Sequence, residues 1–508
     1  MKKLLTIING VVCVPGILIM AYLSWNAMLS SQYMNPFGGE VPIIIPDSVP
    51  ANILFLALFL VLLFILHKLT DNKLKISDLV AKSVLAFSVL FQIVFGLIHI
   101  YAANRPPKGD QLSVYDGVLG FMRGDYSMLR PAEYFGMYPG QLGQAFFEQL
   151  ILTVFKGTDY HILQVILVLM SAGLVICVYS LIKDLTGNMT LTSIGTLIAG
   201  LNFLTIFYDS WIYGDLPSAF LSLAVGSFLV KYHKHKKKTV YLVLAVLTAT
   251  VSVLLRQNTL IFIIACVIVL LIKGVYDRDK KLLITFFLII AIPLLAQQMI
   301  YKGYEKASGI PHSTGVPVWH HIYIGLTISE GRCGWYSYLP MDYYAHDCDT
   351  KETGIAMKEK VMTLLHDTWN TPGYFKTFYS AKVLSQWNEP LFQSIFYNAP
   401  HADVNSERLT AFFDQLLTFQ FNIFLFIADR IQFILYIGML IYFILSMKKR
   451  PDILEHVLAI ALIGGFIFSI IWEAKARYCF PYYVMMMPMA FKGYDMVLKL
   501  VFFRKDKK

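Results

Sequence analysis

Apolar runs of roughly twenty residues recur along most of the chain with short lysine clusters between many of them, and this alternation constrains the fold more than any motif does. A run of that length crosses about 30 Å of hydrocarbon as an α-helix, at about 1.5 Å per residue. It must be helical, because a backbone in lipid has to satisfy its own hydrogen bonds. The runs cover residues 4–29, 51–67, 80–101, 161–182, 191–207, 212–230, 240–255, 260–272, 282–300, 419–446, 453–472 and 478–501. The expected fold class is an all-α polytopic membrane protein with about twelve transmembrane helices. A hydrophobic share of 57%, a charged share of 15% and a mean hydropathy of +0.59 over 508 residues argue against a string of soluble domains. The net charge of +10 does not point to nucleic acid, because the lysines sit in short clusters between apolar runs.

Those clusters orient the chain. The loops 68–82, 183–189, 231–238, 273–281 and 448–452 and the C-terminal tail all carry lysine or arginine, whereas loop 30–50 has none. Basic loops stay inside, so both termini are expected to be cytoplasmic. The N-terminal run has a positive start, but it is too long for a signal peptide and lacks a small-x-small cleavage site; a retained first helix is expected. Residues 142–155 place Leu142, Phe146, Phe147, Leu150 and Val154 on one face, with Gln144, Glu148 and Gln149 elsewhere. This suits a helix lying along the outer membrane surface, since a crossing there would invert every later loop.

Five regions follow. Residues 1–101 hold the first three helices, and 102–160 form an outer loop containing the juxtamembrane helix. Residues 161–300 hold six helices, 301–418 form a large outer loop or cap, and 419–508 hold the last three helices with a basic inner tail. Cys13, Cys177, Cys266 and Cys479 lie in or beside apolar runs and read as small buried hydrophobes. Cys333 and Cys348 share the polar outer loop and are a candidate disulfide pair.

Chemistry is expected outside. Asp110, followed by Gln111, sits just past an apolar run and at the start of a helical pattern, where a carboxylate either caps the helix or acts as a base. Asp116 and Asp125 are weaker candidates: Asp116 falls on another face, and Asp125 follows Arg123-Gly124 as a turn residue. Glu473, Lys475, Arg477 and Tyr478 stand at the outer junction of the last two helices. Lys475 there can simply anchor the loop among headgroups, while the Arg477 guanidinium suits paired hydrogen bonds to phosphate oxygens. Arg256, in a very short turn beside the bilayer, needs an anion or a watery cavity. Asp209 and Asp215, in another short turn, suit sugar hydroxyls or a divalent ion, with helix capping as the alternative for Asp215. The large loop adds Trp319, His321 and Trp335, aromatic and imidazole groups that suit carbohydrate and equally suit packing. The adjacent histidines have no third ligand at metal-site spacing, so no metal site is assigned. No Walker, dinucleotide-binding or nucleophile-elbow motif is present, so a nucleotide substrate has no visible site.

Taken in order, Gly109-Asp110-Gln111, Gly124-Asp125-Tyr126, Tyr138-Pro139-Gly140-Gln141, Tyr213-Gly214-Asp215-Leu216-Pro217, Leu255-Arg256-Gln257-Asn258 and Glu473-x-Lys475-x-Arg477-Tyr478 resemble the GT-C superfamily. These are polyprenyl-phosphate-sugar-dependent glycosyltransferases, including protein O-mannosyltransferases and the lipid A aminoarabinose transferase. The chain departs from better-known branches in having Asp-Gln where many have a carboxylate pair, and in two additional helices before the usual first one. The resemblance implies an inverting transferase in which Asp110 is the general base, while Arg256, Arg477 and Lys475 hold the lipid phosphate. It also implies sugar or acceptor contacts from Gln111, Tyr138 and Gln141. The donor would be a polyprenyl-phosphate-linked sugar within the membrane lipids, and the acceptor a glycan, lipid or protein hydroxyl. Two other classes fit the pattern: a transporter or flippase of lipid-linked sugars, and a polysaccharide polymerase or ligase.

Overall fold

A computed structural model describes residues 2–34, 40–72, 78–235, 237–335, 341–398, 408–449 and 451–502. In it α1 (Lys2–Leu29) leads through an antiparallel hairpin, β1 (Ser30–Met34) and β2 (Pro42–Pro46), to α2 (Val49–Asn72) and α3 (Asp78–Ala103). Three shorter helices follow: α4 (Asp110–Met122), α5 (Tyr134–Met137) and α6 (Leu142–Val154). The bundle resumes with α7 (Tyr160–Thr186), α8 (Met189–Gly200), α9 (Phe203–Tyr208), α10 (Asp215–Lys234), α11 (Thr239–Leu255), α12 (Leu260–Asp277) and α13 (Lys280–Ser308). The long connection contains α14 (Val318–Leu326), the small strands β3 (Ile328–Ser329) and β4 (Arg332–Cys333), α15 (Met341–Ala345), α16 (Thr350–Trp369), α17 (Tyr374–Trp387) and α18 (Ser394–Tyr397). The chain closes with α19 (Arg408–Lys449), α20 (Val457–Ile471) and α21 (Ala476–Phe502).

The protein is an all-α polytopic membrane protein: among the described residues, nine helices are long and apolar enough to cross a membrane. The expected crossing in α11 is shorter, at 17 residues. Those in α10 and α21 carry more polar groups, and most of their residues are buried by neighbouring helices rather than facing outward. By contrast Leu54, Leu58, Val61 and Ile65 of α2 are exposed, as a lipid-facing surface requires. Apolar contact does little to join helices in lipid, so specific polar contacts matter more. The run 191–207, expected as one helix, is split into α8 and α9. Asn202 causes the break: its side chain accepts the Leu204 N–H at 3.1 Å as a fresh N-cap. The freed carbonyls of Gly200 and Asn202 receive the Gln92 amide at 2.8 and 3.2 Å.

Helix α6 turns its polar side inward. Gln144 donates to Glu148 at 2.7 Å and to the Ile212 carbonyl at 3.0 Å, while Phe146, Leu150 and Val154 are exposed. That is the geometry of a helix whose apolar face meets lipid.

The connection between α13 and α19 is not a detached cap. Residues 385–398 are buried, Phe396 only partly, and run into the bundle. Tyr436 of α19 donates to the Trp387 carbonyl, and Tyr208 of α9 to that of Phe392. Asn398 ends the plunge, donating to Phe207 O at 2.8 Å while its side-chain oxygen meets Ser210 Oγ at 2.6 Å and His99 Nε2 at 2.9 Å. All six cysteines are free thiols, so Cys333 and Cys348 are not joined to each other.

Candidate active site

Asp110 does not cap its own helix. The N-cap of α4 is Gly109, with φ 55°, a left-handed conformation that glycine adopts without strain, and Asp110 is the first helical residue. Its carboxylate points across to α21, where Oδ2 accepts a hydrogen bond from Arg477 Nη2 at 2.7 Å. The neighbouring Gln111 points the other way and is buried, its side-chain oxygen accepting the Ile212 N–H at 2.9 Å. That bond ties the turn carrying Tyr213 and Asp215 to the start of α4.

Arg256 extends from the end of α11 in a β conformation, and its Nη2 lies 3.1 Å from Asp215 Oδ1. The other Asp215 oxygen accepts from Trp211 Nε1 at 3.0 Å. Asp215 therefore does more than occupy the first turn of α10: it holds Arg256. Lys475, in the turn between α20 and α21, donates to Glu40 of the N-terminal hairpin. Three cations are thus matched by three carboxylates from different parts of the chain.

Aromatic rings enclose the two guanidiniums. Arg477 lies 5.2 Å from the centroids of both Trp211 and Tyr213, 5.4 Å from Tyr397 and 5.5 Å from Tyr478. Arg256 lies 4.7 Å from Tyr213 and 5.2 Å from Tyr478, so these two tyrosines serve both arginines. The negative faces of the rings stabilise cations that would otherwise be poorly solvated. Arg256 and Arg477 are only 7% and 3% exposed.

These groups open onto a cavity of about 760 Å³. Asp110, Arg256, Arg477, Lys475, Tyr138, Gln141 and His321 all line it. His321 stacks on Trp472 with centroids 4.8 Å apart, and its Nδ1 is 3.6 Å from Glu473. Gly140 brings the 138–141 turn against the turn between α11 and α12: a Cβ there would sit 2.3 Å from the Gln257 side chain. The Asp110 side chain is 44% exposed toward the cavity. Burial alone would raise its pKa, but the charge and hydrogen bond of Arg477, with Lys475 and Arg256, hold it below the usual carboxylate range. Glu40 behaves alike: burial opposes ionisation, and Lys475 overcomes it.

Other expected contacts fall elsewhere. Asp209 is fully buried between helices, accepting from Ser171 at 2.5 Å, and does not reach the cavity. Its position in the turn suggests a partner for sugar or metal, but the carboxylate faces α3 and α7, where a Cβ on Gly96 would come within 2.6 Å of it. Trp335 is also buried, donating to Ser385 at 2.8 Å and pairing along the backbone with Ala474; it packs behind Lys475 instead of lining the cavity. Trp319 is half-buried beneath the Lys358 ammonium, 5.9 Å from its ring, and is not a lining residue. Gln111 and Asp215 support the site from behind. Asp116 is exposed, and Asp125 accepts the Ser127 N–H at 2.9 Å as a turn residue.

Glu40, Tyr134 and Tyr301 stand outside the motifs named above. The last two line the cavity. Glu40 stands behind it, bonded to Lys475. Among the described residues, no group of three or more histidine, cysteine, aspartate or glutamate side chains is arranged to hold a metal ion.

No protein-family model matches the chain, and no curated relative matches it. Solved structures do. The archaeal oligosaccharyltransferase AglB from Archaeoglobus fulgidus, in complex with an inhibitory peptide and a dolichol-phosphate, is 14% identical, with 84% of this chain and 51% of that chain covered and a TM-score of 0.44. The apo form of the Archaeoglobus fulgidus oligosaccharyltransferase gives 14% identity, 85% and 52% coverage and a TM-score of 0.46. Its complex with Zn and sulfate gives 14%, 83% and 49%, and 0.42. The chain spans about half the length of these structures.

Proposed function

We propose that this protein is a membrane glycosyltransferase of GT-C type that moves a sugar from a polyprenyl-phosphate carrier to an acceptor hydroxyl of a glycan, lipid or protein. The observation that carries the reading is the pairing of Asp110 with Arg477 at the wall of a cavity that also holds Arg256 and Lys475. A carboxylate beside clustered cations fits a reaction in which a hydroxyl loses a proton while a phosphate departs with negative charge.

In this mechanism Asp110 takes the acceptor proton as the hydroxyl oxygen bonds to the anomeric carbon. The carbon–oxygen bond to phosphate breaks on the opposite face, its electron pair stays on the phosphate oxygen, and the configuration inverts. Arg256, Arg477 and Lys475 neutralise the departing phosphate. Arg477 links the two halves. A donor phosphate that draws hydrogen bonds from Arg477 weakens its hold on Asp110, so the carboxylate becomes more basic once donor is bound. Tyr138, Gln141 and His321 supply polar and aromatic contacts for sugar or acceptor. The lysine-rich loops adjoin the helix ends remote from the cavity, which supports an extracytoplasmic site and cytoplasmic termini.

The test is Asp110→Asn in membranes supplied with radiolabelled polyprenyl-phosphate sugars. Transfer should fall by about 10²–10⁴-fold, the range of a lost general base, with expression and lipid binding retained. Unchanged turnover removes Asp110 as the base, and wild-type membranes that move the lipid without transferring label would replace the transferase reading with a transporter.

A further inference from the structure

We propose that Glu40, brought to the site by the N-terminal hairpin, is a positioning residue that fixes Lys475 for phosphate binding. This inference rests on the reading of Lys475 as a phosphate-binding cation.

Glu40 joins three parts of the site. Its Oε2 accepts from Lys475 Nζ. Its Oε1 accepts from Gln393 Nε2 at 3.2 Å and from Tyr397 OH at 3.4 Å. Gln393 in turn accepts the Arg477 N–H at 3.2 Å through its side-chain oxygen, and Tyr397 stacks on Trp211 with centroids 3.8 Å apart beside the Arg477 guanidinium. One carboxylate therefore bonds directly to the lysine and, through one intermediate side chain, to the arginine two residues on. The hairpin that carries it is fastened locally: Gln32 N donates to Asn388 O at 2.8 Å, and Asn388 Nδ2 donates to Ser30 O at 3.0 Å.

Geometry gives Glu40 a reason to be charged. Lys475 is 6% exposed, and its ammonium lies 5.7 Å from the Trp335 ring. A flexible four-carbon stem in such a place has several rotamers, and a fixed anion selects the one that ends beside the cavity. Arg477 needs no such help, being enclosed by rings and held by Asp110. Glu40 is not among the cavity-lining residues, so it acts through Lys475 and does not touch the ligand.

A double-mutant cycle in the full-length protein tests this, with farnesyl phosphate as the probe and its dissociation constant measured for wild type, Glu40→Gln, Lys475→Met and the double variant. Glu40→Gln should weaken binding by about tenfold in the wild-type background and leave affinity unchanged in the Lys475→Met background, as expected for a charged hydrogen bond acting through one partner. An equal loss in both backgrounds means that Glu40 supports the fold alone, and overturns the proposal. Should wild type fail to bind the probe, the phosphate reading fails separately. Reductive methylation of Lys475, followed by mass spectrometry, then decides the matter: Glu40→Gln should speed it several-fold by removing the carboxylate that holds the ammonium, and an unchanged rate overturns the proposal.

Discussion

The two ends of the helix bundle both hold ion pairs, but in settings that differ in how far solvent reaches them. Helix α11 begins next to Lys238 and ends at Arg256, and its 17 residues separate those ends by about 26 Å. At the lysine-rich end Lys273 and Asp452 form a mostly buried pair, but Lys82 pairs with Asp78 at 2.6 Å, with side chains 61% and 45% exposed, and Lys237 pairs with Asp279 at 3.3 Å while half exposed. Such exposed pairs contribute about 0–1 kcal/mol. At the cavity end, Arg256 and Asp215 are almost wholly buried, Arg477 sits inside a box of rings, and Lys475 is matched by Glu40. Burying such charges is costly, and hydrophobic replacements would often hold a fold as well. The contrast teaches that the exposed pairs at one end are screened by solvent, while those at the other are held by burial and by facing rings.

The largest expected effect is at Asp215. Replacing it with leucine strands Arg256 without its partner, and thermal unfolding in detergent should report a loss of about 3–5 kcal/mol. Next comes Tyr213→Leu, which removes a ring shared by both guanidiniums. It should weaken binding of a polyprenyl phosphate by about tenfold, equivalent to about 1–2 kcal/mol, in a direct affinity measurement. A smaller effect should appear in the pH profile. Asp110 is held below the usual range, so stability from its pair is present above the ordinary aspartate value of about 3.9 and is lost only as pH falls through the lower folded value. The acidic limb of kcat/KM, which reports the free protein, should therefore lie low for wild type and move upward in Arg477→Gln. A limb that stays in place would break the link between the two residues. The smallest effect belongs to the opposite end, where Lys82→Ala should change stability by less than about 0.5 kcal/mol and leave transfer untouched. A large loss there would erase the contrast.

Much of the fold can be read in one dimension, because hydrocarbon thickness and basic loops act on contiguous segments. The break at Asn202 escapes that reading, since an apolar run hides a side chain that caps its own backbone. Asp110, Arg256, Lys475 and Arg477 are conspicuous as charges beside apolar runs, and they line one cavity. Glu40 and Tyr397 are not conspicuous. They reach the site only because the N-terminal hairpin and the buried 385–398 segment fold back over distances of hundreds of residues, which no local pattern encodes. Trp335 and Asp209 mislead for the opposite reason: residue type suggests sugar contact, whereas burial assigns them to packing.

The plunging segment 385–398 bears on how the protein is made. Its contacts reach back to His99 and Tyr208 and forward to Tyr436, and Gln393 bonds to Arg477 in the last helix. A ribosome must therefore release α21 before this stretch can take its final place. Nascent chains arrested before Ala476 lack Arg477 and leave Asp110 without its partner, so the Asp110–Arg477 pair forms only after α21 has been made.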